Sequence, residues 1–87
     1  MSSRPYDVYL HERLLACAPR SGRSRERIMD FVRSLADNPF QRANYEDADP
    51  AGHSVGVKLV GRFAVTYFVD HAVREVKIVN IEPADNP

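Results

Sequence analysis

The chain has little that would commit it to a specialised class. A single cysteine, Cys17, excludes an internal disulfide and fits a reducing compartment. No run approaches the roughly 20 apolar residues of a membrane span, and the start, Met1-Ser2-Ser3-Arg4-Pro5, lacks the apolar core of a secretory signal. The expected location is the cytoplasm, with no membrane partner. Net charge is absent too: 12 Lys plus Arg balance 12 Asp plus Glu. That balance argues against general coating of nucleic acid while leaving local patches open. There are no repeats and no low-complexity segments. The three histidines, His11, His53 and His71, have neither ligand spacing nor cysteine partners, so neither a metal site nor a cofactor is expected.

At 87 residues the chain makes one domain. A domain of this size buries only about 60–65% of the surface its unfolded chain exposes, so its stability is marginal. What is present is concentrated between Val55 and Ile81. Three short runs, VGVKLV, FAVTYFV and EVKIVNI, are rich in β-branched and aromatic residues and are separated by turn material. Gly61-Arg62 fits a two-residue hairpin loop of type II′, with Gly61 supplying the positive φ. Within the second run Phe63, Val65, Tyr67 and Val69 share a face, directed at the helices, and Ala64, Thr66 and Phe68 share the other. In the third, parity puts Val76 and Ile78 on one face and Lys77, Val79 and Ile81 on the opposite one. Apolar residues on both faces mark this strand as the most central of the three.

Ahead of the meander, Tyr6 to Leu10 reads as an edge-like first strand. Leu10, Leu14 and Cys17 then follow helical spacing, predicting at most two turns that stop at Pro19, with Cys17 a small buried filler. Ile28, Phe31, Val32 and Leu35 recur at i, i+3, i+4 and i+7, predicting an amphipathic helix capped by Ser24 and stopped by Asn38-Pro39. Residues 40–53 form a long polar link, a length usually functional or mobile. The expected class is α+β: a small antiparallel sheet, made of the first strand and the C-terminal three-strand meander, packed against one or two N-terminal helices.

This pattern resembles the RelE/ParE toxin superfamily of type II toxin–antitoxin modules. The residues that carry the resemblance are the early strand YDVYL, the helix end SLADNP, the hairpin VKLVGRFAVTYFVD and the closing EVKIVNI. A plasmid-stabilisation-like subgroup is similar in more detail. Its motifs stand here as Asp49-Pro50-Ala51-Gly52-His53, Val60-Gly61-Arg62-Phe63, Asp70-His71-Ala72-Val73-Arg74-Glu75-Val76 and Ala84-Asp85, with His53 where the subgroup has arginine.

The resemblance implies a toxin neutralised by a cognate antitoxin. Its target would be messenger RNA on the ribosome, cut by an endonuclease, or DNA gyrase, inhibited in the ParE manner. A toxin fold kept only as an interaction domain is the remaining alternative. Cleavage needs a base for the ribose 2′-hydroxyl, cations for developing negative charge and an acid for the leaving oxygen. Arg62, Lys58, Tyr67 and His71 are the candidates for those roles, with His53 an alternative to His71. Ala64 occupies the position where the family's strand carries arginine, and Arg62, of the same parity, is expected to replace that charge. Arg20, Arg23, Arg25 and Arg27, with Lys77, are candidates for contact with RNA or with acidic residues of the antitoxin.

Overall fold

The computed structural model describes residues 6–48, 52 and 54–84. Its longest helix, α2 (Arg23–Asp37), forms where the periodicity predicts it, and Ile28, Phe31, Val32 and Leu35 are all buried along one side. The helix starts before Ser24. Gly22 is the N-cap, at φ 91°, and its carbonyl accepts the Glu26 N–H at 3.1 Å. Glycine turns the chain there at little steric cost, which sets the first helical residue at Arg23 and leaves Ser24 inside the first turn. At the other end Asn38 leaves the helical region at φ −139°, and Pro39 cannot continue the ladder.

The shorter helix α1 (Glu12–Leu15) is capped by His11, whose Nδ1 accepts the Arg13 N–H at 3.0 Å. It ends well before Pro19, so the spacing from Leu10 to Cys17 is broken. Cys17 is consequently exposed, a correction to the buried filler expected, and Ala18 takes the core position at 7% exposure.

Five strands form one sheet in the order β1-β5-β4-β3-β2: β1 (Asp7–Tyr9), β2 (Tyr45–Ala48), β3 (Ser54–Val60), β4 (Phe63–Asp70) and β5 (Glu75–Pro83). The α+β class is the expected one, with the first strand and the meander in a single sheet beside two helices. Two details differ. First, β1 pairs parallel with β5, so the sheet is mixed. Second, β2 adds an edge strand from within the 40–53 link. Every residue of β2 is exposed, so no hydrophobic pattern announces it. The free edge of β3 recruits it instead: the Asn44 N–H donates to the Val57 carbonyl at 2.9 Å, and the Leu59 N–H donates to Asn44 Oδ1 at 2.7 Å.

The middle strand is β4, not β5. The two-faced apolar pattern of β5 has another cause, a bulge. Thr66 pairs with Asn80 but Tyr67 pairs with Ile78, leaving Val79 as an extra residue. Beyond it the parity inverts. Ile81 therefore joins Val76 and Ile78 in the core at 1% exposure, while Val79 stays 44% exposed, which corrects the expected grouping of Ile81 with Lys77 and Val79.

On β4, Val65 and Tyr67 point into the core with α2 as expected, and Phe63 and Val69 pack at its margin. Ile28, Leu35, Val65, Val76 and Ile81 are the fully buried anchors, each worth about 1.5–3 kcal/mol of burial. Gly61 takes φ 61° and Arg62 does not share the positive φ, as a type II′ hairpin requires.

Candidate functional site

A cleft with polar side chains in its lining lies where the α2–β2 connection meets the sheet. One cross-strand row sets the geometry. Glu46 pairs with Gly56, and Gly56 pairs with Tyr67, so all three stand side by side on the helix-side face. Strands lie about 4.8 Å apart, which puts the Glu46 and Tyr67 backbones roughly 10 Å apart with no side chain between them. The cleft, of about 390 Å³, opens beside this row, lined among others by Phe40, Arg42, Glu46, Gly56, Tyr67 and His71. That size lies at the small end of ligand sites.

Gly56 is required here for space. A Cβ would sit 2.9 Å from Tyr67 Cζ, 3.0 Å from its hydroxyl and 3.1 Å from Ala43 Cβ. The tyrosine ring fills that space, held edge-on by Phe31 with centroids 5.6 Å apart. Only 4% of Tyr67 is exposed, and its hydroxyl is delivered to the cleft. Burial, and next the Glu46 carboxylate, hold the phenol above its ordinary value of 10.0. At neutral pH Tyr67 is thus a neutral donor.

His71 enters from the β4–β5 turn. Asp70 Oδ1 accepts the Ala72 N–H at 3.1 Å, and Arg74 adopts φ 56°, closing the turn that carries the imidazole. Its Nδ1 shares a hydrogen bond of 2.9 Å with the Tyr6 hydroxyl, and its ring stacks on Phe40 at 4.7 Å and 5°. Phe40 remains 73% exposed, a flat aromatic surface at the cleft mouth. Through these contacts the imidazole is oriented although it lies at the surface.

Tyr67 and His71 are the expected site residues that this cleft brings together. Lys58 lies on the same face, opposite Val65, two positions from Gly56 and about 7 Å along the strand, but it does not line the cleft. Lys77 pairs with Phe68 and Tyr9 and is on the other face, so Lys58 and Lys77 share no basic surface. There Lys77 borders a shallow hollow with Tyr9 and His11. The neighbouring Glu75 and then Asp7 raise the Tyr9 phenol above its ordinary value.

Arg62 is exposed in the hairpin turn, about 17 Å along β4 from Tyr67. Its carbonyl accepts the Ala84 N–H at 2.7 Å. Ala64 is buried at 6% exposure, beside a second hollow whose charged group is Glu82.

Arg20, Arg23, Arg25 and Arg27 gather at the start of α2, whereas the cleft follows its end. The 15-residue helix separates them by about 22 Å. Arg25 is engaged within the fold, Nη1 donating to the Pro19 carbonyl at 3.1 Å; Arg20, Arg23 and Arg27 are exposed. His53 lies outside the described residues. Among those described, no group of three or more His, Cys, Asp or Glu could hold a metal ion, and no helix is long and apolar enough to cross a membrane.

Sequence reasoning missed Phe40, Arg42, Glu46 and Gly56. The first three sit in the polar link, where no periodicity reports on position. Gly56 did carry a signal, since a glycine inside a Val-rich strand marks a close approach of neighbouring groups.

No family model matches the chain, and no curated protein matches it. Among solved structures, the fold is similar to that of a chain in the crystal structure of the archaeal RelE–RelB complex from Pyrococcus horikoshii OT3. The TM-score is 0.75 over 95% of this chain and 99% of that one, at 18% sequence identity. The mixed five-stranded sheet with its two helices is therefore a RelE-like fold.

Proposed function

We propose that this chain is the toxin of a type II toxin–antitoxin pair of the plasmid-stabilisation-like kind. In this reading it acts in the cytoplasm, is held inactive by a cognate antitoxin, and cleaves messenger RNA on the ribosome when released. The observation that carries the reading is the end-to-end likeness of fold to a chain of the RelE–RelB complex. Fold alone does not assign chemistry, so the contents of the cleft bear the second half of the proposal.

Transesterification of RNA needs a proton carrier, a cation and a hydrogen-bond donor near one phosphate. The oriented imidazole of His71 is the proton carrier, able to take the 2′-hydroxyl proton or to protonate the leaving 5′-oxygen. Arg42 supplies the cation within the cleft, where Arg62 at the far end of β4 does not reach. The neutral phenol of Tyr67 donates to a non-bridging phosphate oxygen. Lys58, further along the same face, adds positive potential to the approach of the RNA backbone.

Induced expression in a growing culture, with labelled uridine, thymidine and amino acids followed in parallel, tests the proposal. Early loss of amino-acid incorporation is the expected result. Early loss of thymidine incorporation would move the target to gyrase, and unimpaired growth would remove the toxin reading.

A further inference from the structure

The two faces of the sheet are unlike. The helices direct their buried residues to one of them, over the core of Val65, Tyr67, Val76 and Ile81. The opposite face is nevertheless apolar at its centre, where Val55, Val57 and Ala64 are buried at 4%, 5% and 6% exposure outside that core. Their cross-strand neighbours remain open: Tyr45, opposite Val57, is 51% exposed, and Leu59, opposite Ala64, is 45% exposed. Carboxylates frame this centre. Asp7, Glu75 and Asp70 form one cross-strand row at one end, Glu82 lies opposite Ala64 at the other, and Asp47 lies opposite Val55 on the edge strand. Lys77 is the cation on the strands of this face, with Arg62 and Arg74 in the turns at its ends. The Tyr9 phenol, beside Lys77, registers the local field, since Glu75 and then Asp7 hold it above its ordinary value.

We infer that this helix-free face docks an amphipathic helix of a partner protein, with an aliphatic stripe on Tyr45, Val57 and Leu59 and lysine or arginine along its flanks. The surface is distinct from the cleft, and its partner is assigned without the toxin reading. An apolar sheet face is completed by a helix that buries one stripe against it. Five strands about 4.8 Å apart make a face about 19 Å across, and a helix is only about 10–12 Å wide. The sign of the charge selects the occupant. RNA and anionic lipid would bring phosphates to a rim of carboxylates. A second copy laid face to face would set carboxylate against carboxylate. A copy presenting the arginine-rich start of α2 would match the charge without an apolar stripe, because Ile28, Phe31, Val32 and Leu35 are buried in its own core. A basic amphipathic helix answers both the apolar centre and the acidic rim.

Titrating the isotope-labelled full chain with two helical peptides tests the assignment. Each has about 18 residues, roughly 27 Å of helix, and the same leucine stripe; one carries lysine on its flanks and the other glutamate. The lysine peptide should bind about tenfold or more tightly, the scale of two or three exposed ion pairs, and should shift the amides of Val57, Leu59 and Thr66. Leu59→Ser should weaken both peptides, and Asp7→Lys combined with Glu82→Lys should remove the preference for lysine. These three side chains are exposed, so the variants should fold, as circular dichroism would verify. Equal affinity for the two peptides, no binding of either, or shifts confined to the cleft or to the start of α2 would each overturn the proposal. So would sedimentation showing a dimer that Leu59→Ser separates, or shifts on this face with a uridine oligonucleotide or phosphatidylserine vesicles. Growth on induction reads the toxin proposal separately.

Discussion

At the scale of single residues, Gly56 and Tyr67 work as a pair. The tyrosine ring occupies the space that any β-carbon at position 56 would need, with Ala43 Cβ also in reach of it. Gly56→Ala should therefore destabilise the fold by about 1–3 kcal/mol, since backbone or ring must shift to relieve the overlap. Urea denaturation of the variant would measure this. Tyr67 also gives a pH signature. Its phenol is held above 10.0 by burial and then by Glu46, so the folded chain binds that proton more tightly than the unfolded chain does. The resulting stability is fully present below the unfolded value of about 10 and is lost as pH rises through the folded value. Denaturation midpoints should accordingly fall less steeply above about pH 10 in Tyr67→Phe than in the parent chain.

At the scale of elements, helices and hairpin were legible in the sequence because their signals are local. The apolar face of α2 repeats every three or four residues, and Gly61 marks the type II′ turn by a backbone angle that glycine adopts freely. The elements that depended on distant partners were not legible. The strand β2 has no apolar face and exists through hydrogen bonds to the edge of β3, while the parallel pairing of β1 depends on where α1 and α2 return the chain. The bulge at Val79 is the instructive case. Simple alternation groups Val79 with Ile81, but the extra residue inverts the parity between them. Ile81→Ala should cost about 2–5 kcal/mol, as for a fully buried aliphatic, whereas Val79→Ala should stay within about 0.5 kcal/mol. Comparable losses at the two positions would refute the bulge. The cleft shares this limit on legibility: Tyr67 and His71 could be named from their strand and turn, but Phe40, Arg42 and Glu46 acquire a role only when β2 docks.

At the scale of the whole molecule, the architecture separates the charged features that the sequence sets close together. The arginines at the start of α2, Arg62 in the hairpin and Lys77 ahead of the bulge belong to different ends or faces, and the cleft at the end of α2 collects His71, Tyr67, Arg42 and Glu46 instead. Among the described residues, the charges of a neutral chain are thus partitioned between the cleft and separate ends and faces of the fold. The likeness to a chain of the RelE–RelB complex concerns the fold, and the proposal to be tested is that this chain, when free, stops protein synthesis. Pulse-labelling after induction tests it most directly. The account predicts that amino-acid incorporation falls within the first minutes while thymidine incorporation persists, and that His71→Ala restores it; unaffected amino-acid incorporation on expression of the folded protein would contradict the account.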